Sequence, residues 1–204
     1  MKNAEYESYD NLFPDAHNSL SFGTCCSLCN KSFNFIGQEI IWGNGALNAK
    51  IMIVGRDSAG GDKKERLWKG SIYTHMPLTN KKSGAKIRIM LYKIGINPHE
   101  VFFTNTVKCN VGYQNKLSYG NLVPICGQHL LKEFKIIKPE IVICLGRGPY
   151  KIISGIVKEY DTGLSLDQCK YLEHPSRIEG EKRETEYLIR IKHILYDSLN
   201  MKIV

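Results

Sequence analysis

Several side chains in this chain have types and spacings that suit chemistry. Cys25, Cys26 and Cys29 crowd an early segment, with a C-x-x-C spacing between Cys26 and Cys29. Cys109 and Cys126 stand far downstream, and each flanks a loop. Four thiolates from separate loops can hold a tetrahedral metal or a cubane cluster, since both require soft anionic ligands. Cys144 and Cys169 lie inside apolar runs and read as small buried hydrophobes.

Three polar stretches form a second group. Gly55-Arg56-Asp57-Ser58-Ala59-Gly60-Gly61 is a glycine-rich loop whose bare amides can approach a base or a phosphate closely. Its Asp57 either caps a turn or serves as a working carboxylate. Asn105 offers a donor and an acceptor side by side, although an Asn closing a strand and opening a turn is common. His174-Pro175-Ser176 supplies an imidazole, more often a surface or capping residue than a catalyst, at the end of a late apolar run.

Positioning such groups requires a scaffold. Lys50–Val54, Val101–Asn105, Ile141–Leu145 and Cys169–Leu172 are short apolar runs that read as buried strands. Apolar residues at helical spacing mark Ala85–Ile94, Leu122–Ile137, Pro149–Ile156 and Glu184–Leu199 as helices. The segment 62–83 reads as one long loop, and such loops inside compact domains are usually functional. The alternation predicts an α/β fold: a single-domain αβα sandwich around a central four-stranded, mainly parallel sheet. Residues 1–24 read as an irregular arm and 25–204 as the domain. Ligands of such sheets bind beyond the carboxyl ends of the strands, where all three polar stretches fall.

Bulk properties agree with one sizeable core. The chain has 204 residues, 43% hydrophobic and 24% charged. Lys plus Arg outnumber Asp plus Glu by 28 to 20, a net charge of +8 that suits a polyanionic partner such as nucleic acid. Seven cysteines, an odd number, without a secretory leader argue against a disulfide framework. No apolar run reaches the roughly 20 residues of a membrane span. The expectation is a cytoplasmic monomer with no membrane partner, nucleoid-associated in a prokaryote.

The order of these landmarks resembles the uracil-DNA glycosylase superfamily, nearest its iron-sulfur (family 4-like) branch. That branch carries an early C-x-x-C, a third cysteine in TN-x-V-K-C, and a fourth that starts a helix ending in KP. Here stand Thr104-Asn105-Thr106-Val107-Lys108-Cys109, then Cys126 leading to Lys138-Pro139 and Ile141–Gly146. The likeness runs from about Cys26 to the end. It implies a 4Fe-4S cluster on Cys26, Cys29, Cys109 and Cys126, with structural zinc as the alternative and Cys25 competing with Cys26.

The resemblance also implies roles. Asp57 would orient the attacking water, Asn105 would read the edge of an extruded uracil, and His174 would stabilise the departing base. Gly55 and Ser58 would line the pocket. Ser176 would hold a DNA phosphate, and Arg177 or Ile178 would fill the gap left by the flipped nucleotide. The implied activity is hydrolysis of the N-glycosidic bond of uracil, or another deaminated base, in DNA. The alternative is a non-catalytic iron-sulfur DNA-binding or damage-sensing protein of the same fold.

Two features depart from the family. Its first motif usually reads G-E-x-P-G, whereas Arg56 occupies the Glu position here and Gly55-Arg56-Asp57 is closer to the G-Q-D-P of another branch. The family's Pro-Phe aligns with Pro77-Leu78, so the stacking Phe is absent, and Tyr73 or Trp68 would substitute.

Overall fold

The computed structural model describes residues 42–57, 77–78, 83–108 and 119–199. Four strands form one sheet: β1 (Ile51–Gly55), β2 (Val101–Asn105), β3 (Ile141–Leu145) and β4 (Cys169–Leu172). All pairings are parallel, in the order β2-β1-β3-β4. Among the described residues four helices accompany them: α1 (Gly84–Lys93), α2 (Tyr119–Ile137), α3 (Arg147–Glu159) and α4 (Glu181–Leu199). The expected α/β sandwich is therefore present, with a fully parallel sheet. Among the described residues no helix is long and apolar enough to cross a membrane.

Each of the first three strands is buried along its whole length, because helices cover both faces. Side chains alternate between the two faces. Met52, Val54, Phe102, Val142 and Cys144 meet α2 and α3 through Leu130, Phe134, Ile137, Ile153 and Ile156. Ile51, Ile53, Val101, Phe103, Ile141 and Ile143 meet α1 and α4 through Ile87, Leu91, Tyr187, Ile191 and Leu195. Burying each large side chain contributes about 1.5–3 kcal/mol.

The topology fixes where a site can form. From β1 the chain crosses to β2 over the α1 face. It then returns past β1 to β3 over the α2 face, consistent with right-handed crossovers. The loops leaving β1 and β3 thus run to opposite faces, so the carboxyl ends of these neighbouring strands are where ligands of such sheets bind.

The amino-terminal side adds a short seam. Asn44 bridges antiparallel to Phe103, with both backbone hydrogen bonds at 2.8 Å. Gly43 N–H donates to Glu133 Oε1 of α2 at 3.3 Å.

Candidate active site at the carboxyl edge of the sheet

Alternation along β2 sends two adjacent polar residues to opposite faces. Thr104 turns toward α2 and donates its hydroxyl to Glu133 Oε2 at 2.9 Å. Asn105 turns toward α1 and is 1% exposed. Its register partner is Gly55, the last residue of β1. A Cβ on Gly55 would fall 2.4 Å from Asn105 Oδ1 and 3.0 Å from Leu78 Cδ2. Glycine therefore leaves the gap that admits both side chains. Asn105 Oδ1 is shielded from solvent and has no hydrogen-bond partner among the described residues. An orphaned buried acceptor costs roughly 1–3 kcal/mol, which a ligand N–H would recover.

The loop after β1 is stitched to the loop after β2. Gly55 O accepts from Thr106 N at 2.9 Å, and Arg56 O accepts from Val107 N at 2.9 Å and Thr106 Oγ1 at 2.5 Å. These bonds hold Asp57 at the mouth. Its carboxylate is forked by Arg56, Nε to Oδ1 at 2.9 Å and Nη2 to Oδ2 at 3.5 Å.

His174 follows β4. Its Nδ1 lies 2.7 Å from Ser176 Oγ and accepts from Ser176 N–H at 3.4 Å. A backbone donor aimed at Nδ1 requires the tautomer with hydrogen on Nε2, which leaves Nε2–H as a donor. Burial lowers the His174 pKa below 6.5, the charges of Arg56 and Arg177 lower it further, and Asp57 opposes them. The imidazole is thus neutral at pH 7, and its field includes both Arg56 and Asp57 of the β1 loop. Gly146, with φ +102, lets the chain leave β3 beside His174, whose Cβ is 3.8 Å from the position of a Gly146 Cβ.

The segment carrying His174 is braced from behind. Tyr187 donates to Glu173 O at 2.6 Å, and Arg183 reaches Arg177 O at 2.8 Å and Glu173 Oε2 at 3.2 Å. Lys86 of α1 donates to Ile178 O and pairs with Glu184 at 2.6 Å.

The structure thus brings Gly55, Asp57, Asn105 and His174 to one edge of the sheet. It corrects one expectation. Ile178 is 3% exposed and packs in the core shared by α1 and α4, so it does not face DNA. Pro175–Arg177 forms a 3-10 turn, whose three-residue repeat puts Pro175 and Ile178 on the inner side. Ser176 and Arg177 remain exposed. Ser58, Tyr73, Trp68, Cys26, Cys29 and Cys109 lie outside the described residues.

Of the expected metal ligands, Cys126 is described, on α2 and 1% exposed. Its Sγ accepts the backbone N–H of Lys108 at 3.5 Å. The chain therefore carries the residue preceding Cys109 to the Cys126 sulfur, and an amide donor to sulfur suits a metal-bound thiolate. Beside it, Lys108 Nζ is buried on Glu133 Oε2 at 2.7 Å and also donates to Thr104 Oγ1. Two grooves of about 370 and 390 Å³ lie along β4 and α4, lined by residues such as Lys170, Arg190 and Ile194. They contain none of Gly55, Asp57, Asn105 and His174, which gather at the carboxyl edge.

Arg88 escaped the sequence reading, and Leu78 entered it only as the residue standing where the family has its stacking Phe. Leu78 fills the gap over Gly55 with a left-handed backbone, φ +54. Arg88 of α1 donates to Pro77 O at 3.2 Å and Leu78 O at 3.4 Å, while its guanidinium lies 3.6 Å from the Phe103 ring centre. Burial lowers the Arg88 pKa to about 10, so the group stays charged at neutral pH.

Residues 42–194 match the family model described as the Uracil DNA glycosylase superfamily. The chain is also similar to a protein of Archaeoglobus fulgidus named Type-4 uracil-DNA glycosylase, 32% identical over 45% of this chain and 45% of that protein. A protein of the same name from Thermotoga maritima is 26% identical over 59% of this chain and 56% of its own length. The chain spans about half the length of these curated relatives.

Proposed function

Because this chain belongs to the uracil DNA glycosylase superfamily, we propose that it is a monofunctional DNA-repair glycosylase. In this reading it hydrolyses the N-glycosidic bond of uracil, or another deaminated base, and leaves an abasic site. The orphaned Oδ1 of Asn105 carries the proposal. It is an acceptor held in a dry site without a donor, and the N3–H of an extruded uracil is a donor of the right kind. The Asn105 amide N–H then serves O4. Cytosine presents the reverse polarity and is refused.

His174 donates from Nε2 to the second uracil oxygen as negative charge builds on the leaving base, an interaction strongest in the transition state. A neutral imidazole suits this role because its Nδ1 is already committed to Ser176. Asp57 orients the water that attacks the sugar carbon. The carbon–nitrogen bond breaks, the base departs as an anion, the water's hydroxyl stays on the sugar, and its other proton passes to solvent or the departing base. No catalytic lysine or organic cofactor takes part. Ser176 and Arg177 serve the DNA backbone, with a net charge of +8 behind them.

A 4Fe-4S cluster on Cys26, Cys29, Cys109 and Cys126 belongs to the same proposal, with structural zinc as the alternative. The chemistry of Cys126 and the amide aimed at it support a thiolate ligand there. Either group would be structural, pinning loops rather than reacting.

One observation favours a second reading, a non-catalytic DNA-binding or damage-sensing protein: Arg56 already forks the carboxylate meant to hold water. Release of free base, measured chromatographically from oligonucleotides containing uracil or hypoxanthine, separates the two. Released uracil supports the enzyme, and duplex binding without release supports the sensor.

A further inference from the structure

We propose that Arg88 is a positioning residue for base recognition, acting through Leu78, whose side chain forms the apolar wall beside the Asn105 carboxamide. The inference rests on Asn105 as the group that reads the base. It goes beyond that reading by naming what sets the geometry around it.

A left-handed backbone is unfavourable for any residue with a Cβ other than Asn or Asp, so Leu78 must be held there by its surroundings. Arg88 supplies that hold. Its two nitrogens take the carbonyls of Pro77 and Leu78, and its plane stacks on Phe103. Phe103 precedes Asn105 by two residues on the same face of β2, so one guanidinium ties the turn to the strand that presents the carboxamide. Leu78 Cδ2 and Asn105 Oδ1 then border the same glycine gap, 3.0 and 2.4 Å from the position of a Gly55 Cβ. A planar base bonded by its edge to Asn105 places a face against Leu78. The polar contact chooses the edge, and the apolar contact sets the tilt.

Lysine cannot replace this device, because an ammonium is a point charge with neither a fork nor a plane. The test is a double-mutant cycle on single-turnover uracil release, using wild type, Arg88→Ala, Arg88→Lys, Leu78→Gly and the double variant Arg88→Ala/Leu78→Gly. Misplacing the wall should slow release by roughly ten- to a hundredfold in Arg88→Ala and in Arg88→Lys, with melting temperatures tracked alongside. Glycine tolerates the left-handed backbone and has no side chain to aim, so the double variant should match Leu78→Gly alone. Equal losses from Arg88→Ala in both backgrounds, or rescue by lysine, would overturn the proposal. If wild type releases no base, the enzymatic reading fails, and the positioning claim is judged on the Asn105 side-chain amide signal in a ¹⁵N–¹H spectrum. That signal should move in Arg88→Ala, and an unmoved signal refutes the proposal.

Discussion

The carboxamide oxygen of Asn105 occupies the space that a side chain on Gly55 would need, 2.4 Å from the position of its Cβ. The two residues are register partners on β2 and β1, so neither can retreat without disturbing the parallel ladder. Gly55→Ala should therefore swing the carboxamide out of place. Uracil release should fall by about a hundredfold or more, while overpacking lowers stability by about 1–3 kcal/mol in denaturant titration. Wild-type release from this variant would show that Asn105 does not read the base from where it stands.

In the proposed reading the orphaned acceptor of Asn105 is a stability cost kept for function. Asn105→Leu removes the unsatisfied oxygen and keeps the size, so the melting temperature should hold or rise while uracil release is lost. A large drop in melting temperature would mean that the carboxamide is structurally satisfied and is not waiting for a ligand.

In the proposed reaction His174 sets the pH dependence. Its folded pKa lies below 6.5, chiefly from burial and then from Arg56 and Arg177. The active neutral form thus persists below the pH at which an unfolded histidine would protonate. Single-turnover release should be flat above about pH 6.5 and decline only below it. The same linkage acts on stability. The unfolded chain takes up the proton first, so the contribution present above pH 6.5 is lost as pH falls through the folded value. A rate that rises on acidification would contradict the neutral-donor role.

Lys108 and Glu133 form an ion pair with side chains 2% and 0% exposed, joined to Thr104 and Gly43. Removing one partner strands a buried charge, so Glu133→Leu should cost about 3–5 kcal/mol in denaturant titration. Adding Lys108→Met should recover much of that loss. Additive losses would mean that the pair is not the linchpin between β2 and α2.

The strands were legible because central strands buried on both faces must be continuous apolar runs, and Val101–Asn105 and Ile141–Leu145 stand as expected. The first strand is shifted by one residue, to Ile51–Gly55. Helix α2 begins at Tyr119 rather than Leu122, with Pro124 inside it. The candidate site was half legible. Asp57, Asn105 and His174 carry distinctive chemistry at strand ends. Arg88 and Leu78 do not, because only the folded chain shows that a helical guanidinium reaches back ten residues to a turn. Ile178 was misread because His174–Ile178 looked like one exposed loop, whereas the 3-10 turn rotates every third residue inward.

The most direct test incubates the full-length protein with a duplex carrying a single uracil, then applies alkali and looks for strand breaks at that position. The account predicts breaks with wild type, and losses of about a hundredfold or more for Asn105→Asp and for His174→Ala. An intact strand with wild type despite duplex binding, or variants that cut at the wild-type rate, would contradict it.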